Sequence, residues 1–225
     1  MANKPHSTRK SGKVNIHLPN VKPLTDRQAD LFEASGDIVA HGSAGTGKTY
    51  CGMYIGLNDV LRKHHYDSLV IVRSAVETRK IGFLPGTDKE KTEVYKTPYI
   101  EICTELFDDV NAFQKLEMSG KIRYITTSFI RGTNLRNSFI LVDEYQNMTF
   151  HELDSVITRV HGDCRVAWCG DTYQADLGAQ SGVKEFNKIL QKMDDTTFVD
   201  FTLEDVVRGP KVKNYLATKY AIYGK

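Results

Sequence analysis

The sequence predicts an α/β protein built on a mostly parallel central sheet with helices on both faces. Three observations predict it. A G-x-x-x-x-G-K-T string at Gly42-Ser43-Ala44-Gly45-Thr46-Gly47-Lys48-Thr49 stands where an apolar run ends and a helix-like pattern begins. Strand-like and helix-like segments then alternate to the end of the chain. The strand segments are apolar throughout rather than alternating with polar residues, as expected when both faces of a sheet are covered.

Taken in order, Leu24-Thr25 followed by Asp26 to Phe32 reads as a helix with Thr25 as its N-cap and acids in its first turn. Asp37 to His41 is a short buried strand, and a helix follows the glycine-rich string to about Lys63. Ser68 to Arg73 is a strand by its β-branched density, which completes a βαβ unit. Ala75 to Gly86 lacks periodicity and contains Gly82, Pro85 and Gly86, so it is expected to be a long surface loop. Helices are predicted over Lys89 to Phe107, interrupted at Pro98, and over Asp109 to Met118. Lys121 to Ser128, Ser138 to Asp143, Arg165 to Cys169 and Thr197 to Phe201 read as strands. Phe150 to Val160, Val183 to Met193 and Val212 to Tyr223 read as helices.

At 225 residues and 40% hydrophobic content the chain has length for one well-buried domain, expected over residues 23–225. Residues 1–22 read as a flexible basic arm, with Lys4, Arg9, Lys10, Lys13 and Lys22 and no acid before Asp26. Such an arm is either a solvated tail or a contact to phosphates or a neighbouring subunit. It has no apolar core of a signal peptide. Net charge is only +2, so no global field announces nucleic acid. No apolar stretch approaches membrane-spanning length, and Cys51, Cys103, Cys164 and Cys169 show no C-x-x-C or ligand spacing. The expectation is a soluble cytoplasmic protein with reduced thiols and no membrane partner. The seven histidines are scattered and form no metal set; His64 and His65 are expected to close a helix.

The string at Gly42 to Thr49 is a phosphate-binding loop. Nucleotide phosphates require backbone N–H groups to wrap inward, and glycines at 42, 45 and 47 remove the side chains that would obstruct this. Lys48 can reach the β- and γ-phosphates, the Thr49 hydroxyl can ligate Mg²⁺, and the helix that follows offers its positive dipole end. Ser43, Ala44, Thr46 and Tyr50 complete the predicted nucleotide-binding run.

A second half of such a site follows. Phe139-Ile140-Leu141-Val142 ends in Asp143 and Glu144. Asp143 is expected to hold Mg²⁺ opposite Thr49, and Glu144 to polarise the attacking water. Gly170-Asp171-Thr172-Tyr173-Gln174 follows the next strand, where Gln174 is suited to sensing a γ-phosphate or its water; alone the pattern fits a turn better.

Together these pieces resemble the PhoH family and, through it, the first RecA-like domain of superfamily 1 helicases. The resemblance runs from about Leu24 to Tyr220. It is carried by Gly42 to Thr49, Arg73-Ser74-Ala75-Val76-Glu77 with Gly82 to Gly86, Arg131-Gly132 with Leu135, Val142-Asp143-Glu144-Tyr145-Gln146-Asn147, Gly170-Asp171 with Gln174, and Asp205-Val206-Val207-Arg208. It implies a three-layer, RecA-like P-loop NTPase fold. It implies that Gln28 reads adenine, which would make ATP the nucleotide, although Gln28 could be an ordinary exposed helix residue. Gln146 and Gln174 match positions that couple the γ-phosphate to nucleic acid, and either could be a loop amide. Arg208 matches the arginine that approaches the γ-phosphate, where its charge would stabilise the transition state. Arg73 and the Thr126-Thr127-Ser128 region with Arg131 match segments facing a nucleic-acid backbone, or are ordinary sheet termini. The chain departs from the family at Ser43, Ser74 and Gly178, where proline is usual, and at Tyr145, where a small residue is usual.

What this implies is an ATPase stimulated by RNA or single-stranded DNA, possessing helicase-like activity when assembled. A helicase motor closes two RecA-like domains around ATP, whereas one is expected here. The second half would come from a neighbouring protomer that supplies an arginine in trans, which predicts a homo-oligomer, a hexamer being one candidate. An ATP-dependent switch or scaffold acting on a protein, and a small-acceptor kinase, are the alternatives. The family occurs in bacteria and their viruses, and the compact architecture points to a bacteriophage member working in host cytoplasm.

Overall fold

A computed structural model describes residues 17–74, 88–171 and 177–223. Its secondary structure runs α1 (Asp26–Glu33), β1 (Asp37–Gly42), α2 (Lys48–Leu61), β2 (Ser68–Arg73), α3 (Asp88–Phe107), α4 (Ala112–Met118), β3 (Ile122–Thr126), β4 (Ser138–Asp143), α5 (Phe150–Ile157), β5 (Arg165–Gly170), α6 (Val183–Leu190), β6 (Thr196–Phe201) and α7 (Pro210–Tyr223). The six strands form one sheet in the order β3-β2-β4-β5-β1-β6, and every pairing is parallel. The carboxyl ends of β1, β4 and β5 therefore lie along the same edge, with β5 between the strand of the phosphate loop and the strand ending in Asp143.

The period of two along each strand divides the core between the two faces. Ile38, Ala40, Leu69, Ile71, Phe139 and Leu141 meet α1 to α4 through Leu31, Met53, Tyr99 and Phe113. Their neighbours Val39, Val70, Val72, Ile140 and Val142 join Trp168 against α5 and α6 through Leu153, Val156 and Phe186. This is the expected three-layer RecA-like arrangement. Helix α2 lies close to the sheet because Gly52 and Gly56 face it. A Cβ at Gly52 would stand 2.7 Å from Leu141 Cδ1, and one at Gly56 2.7 Å from Phe139 Cδ1.

Two expectations are corrected. Pro98 lies inside an unbroken α3 and does not interrupt it. An interior proline costs about 3 kcal/mol, but Tyr95, Tyr99, Cys103 and Leu106 on the same stretch are buried, and each such side chain contributes on the order of 1.5–3 kcal/mol. Helix α2 ends at Leu61, and His64, at φ 54°, stands beyond the helix rather than closing it. Thr25 caps α1 as expected, accepting from the Gln28 backbone N–H. The expected loop over residues 75–86 lies outside the described residues. Among the described residues, no helix is long and apolar enough to cross a membrane.

Candidate nucleotide site

The phosphate loop leaves β1 through Gly42, whose φ is 116° and whose missing side chain admits the Phe201 carbonyl, 2.0 Å from where a Cβ would sit. The Ser43 N–H donates to that carbonyl at 2.9 Å. A proline at position 43 could not make this bond. Gly178 likewise has φ 51°, a conformation that the proline ring forbids. Gly47, at φ 81°, is the N-cap of α2, so the first N–H groups of that helix face the loop.

Lys48 Nζ is gathered onto the loop itself. It donates to Gly42 O at 3.0 Å, Ser43 O at 2.6 Å and Thr46 Oγ1 at 3.3 Å. Burial pushes its pKa down, while Asp171, Cys169, Glu144 and Asp143 oppose that shift. Its charge is thus held in a dry setting where an anion interacts strongly. Thr46 Oγ1 donates to Ser43 O at 3.0 Å, which braces the loop across its bend.

Gln28 is buried, unlike an ordinary surface helix residue. Its Nε2 donates to Thr46 O at 3.0 Å, and its Oε1 accepts from the Leu24 N–H at 2.9 Å. One amide hydrogen and one oxygen lone pair remain, the donor and acceptor that adenine recognition needs.

At the far end of the loop, Thr49 Oγ1 donates to Asp143 Oδ1 at 2.7 Å, and the Tyr99 hydroxyl donates to Asp143 Oδ2 at 2.8 Å. Tyr99 escaped the sequence reading. Its spacing with Tyr95 and Cys103 marks an apolar helix face, but nothing local ties it to Asp143. Glu144 occupies the left-handed region at φ 53°, a conformation rare for a side chain of this kind and found at functional turns. Gln146 fastens it: its Nε2 donates to Glu144 Oε2 at 2.5 Å while its Oε1 accepts from the Asp171 N–H at 3.1 Å. Gly170 admits this bridge, since a Cβ there would lie 2.2 Å from Gln146 Oε1.

Arg208 returns to the loop of its own chain. The Val207 and Arg208 N–H groups donate to Gly45 O at 3.1 and 3.4 Å, and the Arg208 stem lies 3.4 Å from where a Gly45 Cβ would be. β6 and the turn after it bring the Arg208 backbone and stem beside the loop of its own chain. Tyr50 lines the same cleft, of about 1160 Å³, together with Gln28, the loop, Asp143, Glu144 and Arg208. Gln174 lies outside the described residues.

The donor set fits Mg²⁺. A hydroxyl and a carboxylate in direct contact are hard oxygen ligands, and Mg²⁺ is typically held by one or two carboxylates with phosphates and water filling the remaining positions. Thr49 and Asp143 would hold it, Tyr99 would orient Asp143, and the ion would neutralise charge on the phosphates. The cysteines take no part: Cys51 and Cys103 are free, and burial pushes both thiols up to about 12.

The surface expected to face nucleic acid is partly inverted. Thr126 and Thr127 are buried, and Thr127 Oγ1 donates to Glu152 Oε1 at 2.7 Å. Ser74 Oγ donates to the same oxygen at 3.1 Å. Those hydroxyls brace the ends of β2 and β3 to α5, whereas Ser128, Phe129 and Arg131 are exposed.

A parallel sheet with this loop and an acidic strand end facing it makes a RecA-like P-loop fold. The family model described as PhoH-like protein matches residues 20–220, and the chain belongs to that family. It is 34% identical over 209 residues to the PhoH-like protein of Mycobacterium leprae, covering 90% of this chain and 59% of that protein. Against the PhoH-like protein of Bacillus subtilis it is 30% identical over 196 residues, covering 85% of this chain and 61% of that protein. The chain thus spans about three fifths of the length of these curated relatives. Among solved structures, the large terminase of a thermophilic bacteriophage in complex with ADP is similar at a TM-score of 0.48 and 13% identity, covering 88% of this chain and 50% of that one.

Proposed function

We propose that this chain binds ATP with Mg²⁺ in the cleft between Gln28 and Asp143 and hydrolyses it, and that RNA or single-stranded DNA stimulates the hydrolysis. The observation that carries this reading is the linked pair at the end of β4. Asp143 meets Thr49, and the adjacent Glu144 is held by Gln146, so a metal ligand and a water-activating carboxylate stand side by side. Lys48 and Arg208 would counter charge on the transferring phosphoryl group, and Gln28 would read the adenine. Gln174 is proposed as a γ-phosphate sensor.

Stimulation by nucleic acid is supported by the exposed Ser128, Phe129 and Arg131, a basic, aromatic surface that follows β3 at the same sheet edge as the cleft, with Arg73 opposite Thr126 on the neighbouring strand. The proposed working form is a homo-oligomer, a hexamer being one candidate, in which a second protomer completes a helicase-like motor. A basic arm ahead of a single ATPase domain is proposed; of the 22 residues assigned to it, Leu18 is buried in the core and the Val21 N–H donates to the Tyr54 hydroxyl, so residues 18–22 pack on the domain itself.

ATP turnover measured with and without RNA and single-stranded DNA tests this reading, with native mass recorded in ATP and Mg²⁺. Stimulation that fades with salt is expected. Turnover with no response and no salt-sensitive binding would favour a protein-directed switch. Phosphate appearing on an added acceptor would favour a kinase.

A further inference from the structure

Helix α7 leaves the Arg208 turn and crosses the phosphate loop with little apolar support, since Leu216 is its one buried residue. Its start is tied by Lys213 Nζ to Glu204 Oε2 at 3.1 Å. Near its other end the Tyr220 hydroxyl stands 3.4 Å from Ser43 Oγ, within hydrogen-bond reach. This contact seats the helix on the loop and uses the hydroxyl that distinguishes this chain from relatives with proline there.

The residue before Tyr220 is Lys219. It is half-buried and lines the cleft with Ala44, Gly45, Lys48 and Arg208. Its ammonium makes no hydrogen bond or ion pair among the described residues. A cation drawn partly out of water without a partner is unfavourable, and an anion arriving beside it restores the balance. Lys48, by contrast, is occupied with three oxygens of the loop.

The position along the loop indicates which anion. Gln28 touches Thr46 and stands beside Gly47, so the base lies toward that end. Tyr220 and Arg208 touch Ser43 and Gly45, the side of the loop where the phosphate chain ends.

We propose that Lys219 is a further nucleotide-binding residue: it pairs with the terminal phosphate of a bound nucleoside triphosphate, with Tyr220 as the residue that positions it. This rests on the reading of the cleft as a triphosphate site. Lys219 then distinguishes tri- from diphosphate, and the seating of α7 depends on which is bound.

Competition binding on the full chain, with a non-hydrolysable ATP analogue and with ADP, tests it. Lys219→Met is expected to weaken the analogue by about ten- to hundredfold, the range of a charge-assisted hydrogen bond, while ADP affinity stays near that of the unaltered protein. Lys219→Arg is expected to keep most of the preference, and Tyr220→Phe to lose part of it without loss of Tm. An unchanged ratio of the two affinities in Lys219→Met, or equal weakening of both nucleotides, overturns the proposal and leaves the nucleotide reading standing. An unaltered protein that binds neither nucleotide overturns both.

Discussion

Thr49 Oγ1 and Asp143 Oδ1 lie 2.7 Å apart, joining the first turn of α2 to the end of β4 across 94 residues of sequence. The contact brings a hydroxyl and a carboxylate to hydrogen-bonding distance. Tyr99 holds the other carboxylate oxygen, so the rotamer of Asp143 is determined from both sides.

Tyr99→Phe removes one of those two restraints while keeping the aromatic packing. The Mg²⁺ concentration giving half-maximal ATP turnover is expected to rise by about 10- to 100-fold, the usual cost of losing a residue that orients a metal ligand. ADP binding in EDTA should be unchanged. An unaltered Mg²⁺ requirement would remove Tyr99 from the site.

Glu144→Gln keeps the size of the side chain and its reach to Gln146 while removing the base. Turnover is expected to fall by about 10²–10⁴-fold, with nucleotide affinity retained. Single-turnover kinetics alongside equilibrium binding separate the two effects. Turnover near that of the unaltered protein would place water activation elsewhere.

Gln28→Ala removes a brace on the Thr46 carbonyl together with the proposed adenine contact. With each hydrogen bond worth about 0.5–1.5 kcal/mol net, ATP affinity is expected to drop by up to about tenfold, and any preference over GTP to shrink. Competition between ATP and GTP reads this directly, and an intact preference would leave Gln28 as a loop brace alone.

Glu152 makes acid stability measurable. Burial pushes its pKa up, but bonds from the Thr149 N–H and from the Thr127, Thr149 and Ser74 hydroxyls outweigh burial and hold it below 4.5. A carboxyl depressed in the folded state stabilises fully above its unfolded value and loses that contribution as pH falls through the folded value. Glu152→Gln should therefore lower Tm at neutral pH. The gap to the unaltered protein should close as pH falls below 4.5. A gap independent of pH would assign the effect to shape rather than charge.

Much of the fold was legible because its signals are local. The strands β2 and β4 run at their expected positions, as apolar runs bounded by polar residues. The loop glycines were legible because phosphate binding demands backbone at consecutive positions. Pro98 misled because its local cost is visible in the sequence, whereas the burial that offsets it comes from residues of other elements. Thr127 misled in the same way: a hydroxyl at the end of a strand looks free until Glu152 arrives from α5.

By itself, the sequence determined the phosphate loop, the acidic strand end and the alternation that makes a parallel sheet, since each is set by residues close together in the chain. Tertiary structure alone decided that Tyr99 holds Asp143, that Gln146 ties Glu144 to Asp171, and that Arg208 returns to its own loop. Those contacts join residues that come together only when the strands align in parallel and bring their carboxyl ends to one edge. Directional hydrogen bonds between such residues depend on that register, and register is a property of the packed sheet rather than of any one segment.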